Sequence, residues 1–391
     1  MRTAIILLAL LALLATIGSL LPQVPQEPRA VMTYILDHPF TGPIFARIGL
    51  FDIFSSWPFI VTAVLMYTSL GAGLAIRIPA AVRRGRAPSN RTRAYWAEVA
   101  SIVFHASFFL LLAGVVYGKA AGFVGNAAVV EGGSFVEARA NYDNLDEGIL
   151  APRHAGFQVK VDGFHAAYWP TGAPRDFVSH VSLYDHDRLV ERQDIRVNHY
   201  LAYDGVKVYQ SGYGWAPTLR IQTPDGRVVA DGPTIFLGDP QLANGVIKAP
   251  AAGPQGKRLA ATALLLPDPQ VSGDAISPGT AEPRNPLLLV RLYRGAIPDR
   301  AENVYTLDTT GMDLRWRGAL RLGDRVTTPD GVTVSFTGLK QYTDFALNRD
   351  PGIPIVLSAF AIGLSALLVS LYLPALGREE RLAPARELTG D

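Results

Sequence analysis

Four long apolar runs and one long alternating stretch divide this chain. The first run, Ala4–Leu21, is uncharged and follows Arg2. The second spans Trp57–Ile76, with Pro58 where a first helical turn tolerates proline. The third is Val99–Gly118, uncharged between Glu98 and Lys119; the fourth is Ile353–Leu376, uncharged between Asp350 and Arg378. Each is long enough to cross a hydrocarbon core of about 30 Å as a helix. Between the third and fourth runs the period becomes two. Phe157, Val159 and Val161 alternate with Gln158, Lys160 and Asp162, and Val332, Val334 and Phe336 with Thr333 and Ser335. This predicts strands with one wet face. Thr-Pro-Asp-Gly occurs at Thr223 and again at Thr328, and both sites are expected to be turns.

The expected fold is membrane α+β: four transmembrane helices, three N-terminal and one C-terminal, with a large β-rich, sandwich-like domain between spans three and four. The expected divisions are a membrane region over 1–118 (spans about 4–21, 57–76 and 99–118), a β-rich domain over 119–350, and a fourth span (about 353–376) with a short tail over 351–391. Residues 248–286 are rich in Pro, Gly and Ala and read as a long loop or insertion. The aromatic stretch Arg47–Trp57 suits the membrane interface, or is a lead-in to the second span. A cleaved signal peptide competes for the first run, but the sequence continues TIGSLLPQ without an A-x-A site, so a retained helix is expected.

Charge gives these spans a direction. Between Arg77 and Trp96 lie six arginines and no acid. That asymmetry marks a cytoplasmic loop and needs no nucleic-acid ligand to explain it. Both termini are then cytoplasmic and residues 119–350 extracytoplasmic. A mean hydropathy of +0.19 with 49% hydrophobic residues fits a few spans plus one water-facing part. There is no cysteine, which excludes disulfides, thiolate metal sites, CxxC redox chemistry and covalent c-type haem attachment to this chain. HExxH, GxSxG, P-loop and GxGxxG motifs are also absent, closing the usual motif routes to hydrolases and nucleotide enzymes.

One ionisable group lies inside the third span: His105. On a helix it shares a face with Glu98, Ser101, Phe108 or Phe109, and Leu112. A polar side chain in hydrocarbon must be satisfied. His105 is therefore a ligand or relay site, or an interhelical hydrogen bond. Seven residues beyond Glu98, it lies roughly 10 Å into the span from the cytoplasmic end. His154, His165, His180, His186 and His199 match no short metal motif, and Asp185–Asp187 reads as a solvated turn. Tyr200, Tyr203, Tyr209, Tyr213 and Trp215 form either a binding face for a flat ligand or peptide, or the core of a sandwich.

Six stretches carry a family resemblance: IGSLLPQ, IGLFDIFSSWPF, FHASFFLLLAG, DFVSHVSLYD, IRVNHYLAYDGVKVYQSGYG and YTDFALNRDPG. Together they resemble the ResB (CcsB) family of cytochrome c assembly proteins. Residues 216–330 contribute little, and Tyr200 stands where the family's N-x-P-L run has proline. The resemblance implies a multi-pass subunit of the bacterial plasma membrane. It implies a multi-span partner of the ResC (CcsA) type bearing a tryptophan-rich outer motif, which this chain lacks. The pair would carry haem across the membrane and present it to apocytochrome c. The chain would then be part of a haem-transport and haem-lyase complex, not an enzyme alone. Haem b would be held transiently and non-covalently, with His105 an axial ligand of its iron. Ser101 would fix the imidazole tautomer, and Phe104, Phe108 and Phe109 would offer apolar surface. Thiol-reducing proteins would act on the client's cysteines. The competing readings are a membrane-anchored extracytoplasmic binding or sensor module without a haem role, and a scaffold of the same pathway that never touches haem.

Overall fold

The computed structural model describes residues 2–24, 28–249, 257–273, 275–296 and 305–382. The tail beyond Leu382 and part of the Pro/Gly-rich stretch lie outside them. The chain forms two compact units, Met1–Tyr117 with Gly352–Asp391, and Gly118–Pro351.

The first unit is helical: α1 (Arg2–Leu20), α2 (Pro28–Asp37), α3 (Thr41–Arg47), α4 (Trp57–Gly85), α5 (Arg93–Ala121) and α6 (Ile353–Leu382). Among the described residues, four helical stretches are long and apolar enough to cross a membrane, lying in α1, α4, α5 and α6. Their outward side chains are apolar as well; Leu8, Val64, Phe360 and Leu371 are all exposed. Water would penalise such a surface and lipid does not.

The arginine-rich loop is shorter than expected. Helix α4 continues past Ile76, through Pro79, to Gly85, and only a 3₁₀ turn at Pro88–Asn90 separates it from α5. Arg83 and Arg84 lie in the last turn of α4, where positive charge complements the helix dipole. Asn90 Nδ2 and Arg91 Nε donate to the carbonyls of Arg84 and Gly85, 3.2 and 2.9 Å away, and so cap the helix end.

The segment between α1 and α4 carries α2, α3 and a 3₁₀ turn. Gln23 is buried at the end of α1; its Nε2 donates to the Leu50 carbonyl (3.1 Å) and its Oε1 accepts from the Ile53 N–H (3.0 Å). This clamps a 3₁₀ segment, Leu50–Ser55, whose Phe51 and Ile53 are buried. Small residues set the approach of α6 to α5. A Cβ at Gly363 would meet Ser107 Oγ at 2.5 Å, and one at Gly114 would meet Val356.

The second unit is built of strands: β1 (Phe123–Val130), β2 (Ser134–Val136), β3 (Asn144–Glu147), β4 (Gln158–Tyr168), β5 (Pro174–Asp185), β6 (Arg188–Ile195), β7 (Leu201–Tyr203), β8 (Val206–Gln222), β9 (Val228–Ala230), β10 (Leu237–Asp239), β11 (Leu242–Ala249), β12 (Lys257–Leu266), β13 (Asp268–Ser272), β14 (Ala275–Thr280), β15 (Leu287–Ala296), β16 (Met312–Arg321), β17 (Arg325–Thr327) and β18 (Thr333–Arg349). They form a seven-stranded sheet centred on the antiparallel pair β8–β18, a four-stranded sheet β2-β4-β5-β6, a five-stranded sheet β10-β11-β12-β15-β16, and the hairpin β13–β14. One core joins Phe157, Leu183, Ile195, Val208 and Phe345. The other joins Trp215, Leu219, Leu259, Leu288 and Phe336. β8 and β18 contribute to both cores, so two sandwiches share one long ladder.

The described part of the stretch expected as an insertion is largely strand. It supplies β12, paired with β11 on one side and β15 on the other. Leu259, Ala261, Ala263 and Leu265 face the core, while Ala260, Thr262 and Leu264 on the other face are small or apolar, so the strand lacks a charged wet face.

Two polar clusters lie inside this unit. Ser179 on β5 donates to Gln210 Oε1 (2.5 Å), and Gln210 Nε2 donates to Thr343 Oγ1 (2.6 Å), joining the four-stranded sheet to the ladder. All three are buried. The second centres on Glu137, which is wholly buried. Its carboxylate accepts from Tyr142 OH (2.8 Å), His154 Nδ1 (2.5 Å) and the Ala155 N–H (2.6 Å). Burial first, and then this carboxylate, push the Tyr142 phenol well above its ordinary range. Removing one member of such a cluster strands the others. Glu137→Ala is expected to destabilise the protein by about 3 kcal/mol or more, read from the midpoint of denaturant unfolding followed by tryptophan fluorescence.

Asp344 lies on the ladder beside a bulge at Ser211. Desolvation, and after it the nearby Asp143, raise its carboxyl above the ordinary carboxylate range. A raised acid binds its proton more tightly folded than unfolded, so stability falls as pH rises through that window. Asp344→Asn is expected to raise the melting temperature at pH 7, with the gain shrinking to nothing in acid. An equal gain at every pH would remove the charge as the cause.

Candidate functional site

Helix α5 carries the chemistry in the membrane unit. His105 is half-buried and its Nδ1 lies 2.6 Å from the Ser101 carbonyl, one turn earlier. A carbonyl only accepts, so Nδ1 holds the proton and Nε2 keeps its lone pair. The ring stands edge-on to Phe104 at 5.2 Å, and Phe104 stands edge-on to Phe108 at the same distance. These residues border an open cavity of about 490 Å³, lined also by Ala4 and Leu8 of α1 and by Met66 and Arg77 of α4. That volume falls in the range of small-molecule sites.

Three expected supporting residues are placed differently from one another. Phe108 borders the cavity with His105. Phe109 does not. Successive helical residues point about 100° apart, so Phe108 and Phe109 flank His105 on opposite sides. Phe109 instead meets Tyr67 edge-on at 5.5 Å and borders a second apolar cleft with Phe59 and Leu112. Ser101 fixes the tautomer through its carbonyl, not its hydroxyl. The hydroxyl is engaged by Arg77, whose Nη2 donates to it at 3.1 Å. Nearer the turn, Arg84 pairs with Glu98 at 2.5 Å.

Arg77 is the residue that loop counting missed. By charge alone it belongs with the arginine-rich loop, yet it lies inside α4. The signal is the sequence after it: Ile78–Val82 stays apolar, so one charge interrupts a continuing helix.

The histidines of the strand-built unit do not converge. His154 binds Glu137, His180 pairs with Asp194 at 2.6 Å, and His186 is exposed in the tight β5–β6 turn with Asp187, both at positive φ. Among the described residues, no group of three or more His, Cys, Asp or Glu is arranged to hold a metal ion. The aromatic cluster divides. Trp215 is core and donates Nε1–H to the Pro240 carbonyl at 2.8 Å; Tyr213 packs on Phe164 and Phe177; Tyr200 is exposed and packs on Tyr209.

The model of the ResB-like family matches residues 1–94 and 91–375 of this sequence. The chain belongs to the ResB-like family. Among its relatives is the cytochrome c biogenesis protein CcsB of Synechococcus sp. (strain JA-3-3Ab), 26% identical over 279 residues, covering 69% of this chain and 49% of the relative. Another is the CcsB of Microcystis aeruginosa (strain NIES-843 / IAM M-2473), 27% identical over 278 residues, covering 70% of this chain and 53% of the relative. A chloroplastic cytochrome c biogenesis protein, CCS1 of Oryza sativa subsp. japonica, is 29% identical over 147 residues, 37% of this chain and 26% of the relative. The chain spans about half the length of the curated CcsB relatives it matches.

In this ResB-like chain the separated sequence stretches meet in space. Gln23 of IGSLLPQ clamps IGLFDIFSSWPF. Ser179, Gln210 and Thr343 bring the three stretches of the strand-built unit onto one buried network. These residues hold the scaffold, and His105 is not among them.

Because the tautomer depends on a main-chain carbonyl, Ser101→Ala is expected to leave His105 protonated at Nδ1. Nitrogen chemical shifts of ¹⁵N-histidine-labelled protein check this; a switch to the Nε2–H form in the variant would assign the role to the hydroxyl.

Proposed function

We propose that this chain is a cytochrome c assembly subunit that binds haem at His105 and, with a ResC-type partner, passes it across the plasma membrane for attachment to apocytochrome c. The observation that carries this reading is an imidazole with Nδ1 tied to the Ser101 carbonyl, at the edge of an apolar cavity between spanning helices. The lone pair on Nε2 is the chemistry an axial iron ligand needs. Phe104 and Phe108 offer flat apolar surface to a porphyrin. The names of the relatives support the pathway.

The arginine-bearing ends of α4 and α5 face the cytoplasm by the positive-inside rule. Gly118–Pro351 then lies outside, and His105 lies in the half of its span nearer the cytoplasm, where haem is loaded as cargo. A second axial ligand comes from the partner. Reduction of the client's cysteines falls to other proteins, since this chain has no thiol.

The test is His105→Gly in the full chain, co-expressed with the partner. The expected result is loss of the bis-histidine haem spectrum and of holocytochrome c at normal protein level. Added imidazole should restore the spectrum. Haem content and cytochrome maturation that match the wild type would remove His105 from the site.

A further inference from the structure

We propose that Arg77 recognises a carboxylate of the bound porphyrin, so that the cavity reads a haem propionate as well as the iron. This inference rests on the reading of His105 as the haem ligand. Arg77 borders the same cavity as His105. Its Nη2 hydrogen bond goes to the hydroxyl of Ser101, the residue whose carbonyl holds the imidazole.

A neutral hydroxyl does not balance a guanidinium. Among the described residues Arg77 meets no carboxylate, and the acid nearest in sequence to Ser101, Glu98, is paired with Arg84. A cation beside an apolar cavity in a spanning helix is costly without an anion. The guanidinium is always charged, and its planar fork matches a carboxylate in two parallel hydrogen bonds. One ligand satisfies the whole arrangement: a flat apolar ring, a metal that takes an imidazole nitrogen, and carboxylates at the ring edge. Helical geometry supports the pairing, because Ser101 and His105 are one turn apart on α5. The shared chemistry is an anionic oxygen, and a lipid phosphate is its other source.

The full-length chain in nanodiscs is titrated with ferric protoporphyrin IX and with its dimethyl ester, which keeps the ring and iron but has no carboxylate. Wild-type protein is expected to bind the diacid more tightly than the ester. Arg77→Gln is expected to weaken the diacid about tenfold or more, to leave the ester unchanged, and so to abolish the discrimination. Arg77→Lys, which keeps the charge and loses the fork, is expected to fall between. Equal affinity of the wild type for both porphyrins, or an Arg77→Gln loss shared by both, overturns the proposal. Affinity that follows the nanodisc headgroup charge and not the porphyrin carboxylates assigns Arg77 to lipid phosphate. His105→Ala is run in parallel: undiminished binding of both porphyrins there overturns the haem site itself, whereas lost discrimination in Arg77→Gln alone leaves it standing.

Discussion

The antiparallel pairing of β8 with β18 is the constraint on which the strand-built unit depends. Both strands are 17 residues long, and they pair from Thr333–Gln222 to Asn348–Lys207. One end of the ladder faces the four-stranded sheet across the core around Phe157 and Phe345; the other faces the five-stranded sheet across the core around Trp215 and Phe336. A straight ladder of that length would not serve two packing partners. Bulges at Ser211 on β8 and at Thr337 on β18 each insert an extra residue and bend it. The Ser179–Gln210–Thr343 network sits beside the first bulge and fixes the register there, since a one-residue slip would turn Gln210 and Thr343 to the wrong face.

In the membrane unit the ordering element is a sequence of polar contacts between α4 and α5. Arg84 meets Glu98, Arg77 meets Ser101, and the next polar group along α5 is His105. Each contact involves less charge compensation than the one before. The first is an ion pair, the second a cation on a hydroxyl, the third an imidazole on a main-chain carbonyl of its own helix. That gradient follows the falling cost of polar groups toward the interface. The last of them, His105, borders the apolar cavity.

Much of this was legible from residue order because the signals were local. Uncharged runs marked the spanning helices, and period two marked β4 and β18. His105 was visible as one ionisable side chain in a long apolar run. What escaped was non-local. Phe108 and Phe109 are equivalent by type, and only the positions of α1 and α4 separate them. Ser101 advertises a hydroxyl, while the carbonyl that holds His105 is common to every residue. Arg77 looked like one more loop charge because the uncharged run stops at Ile76 although the helix does not. β12 hid because Ala260, Thr262 and Leu264 on its second face are not charged, and its neighbours in sequence are rich in Pro and Gly.

The chain leaves α5 directly into β1 and enters α6 directly from β18, and these two strands are hydrogen-bonded neighbours from Phe123–Arg349 onward. Both helices are therefore attached to the same end of one antiparallel ladder. Force that separates α5 from α6 would load this ladder by peeling, one bond pair at a time, not in shear across all of them at once. Peeling is the weak direction of a β-ladder. Gly114 and Gly363 are where α5 and α6 come close, and a Cβ at either would meet Val356 or Ser107.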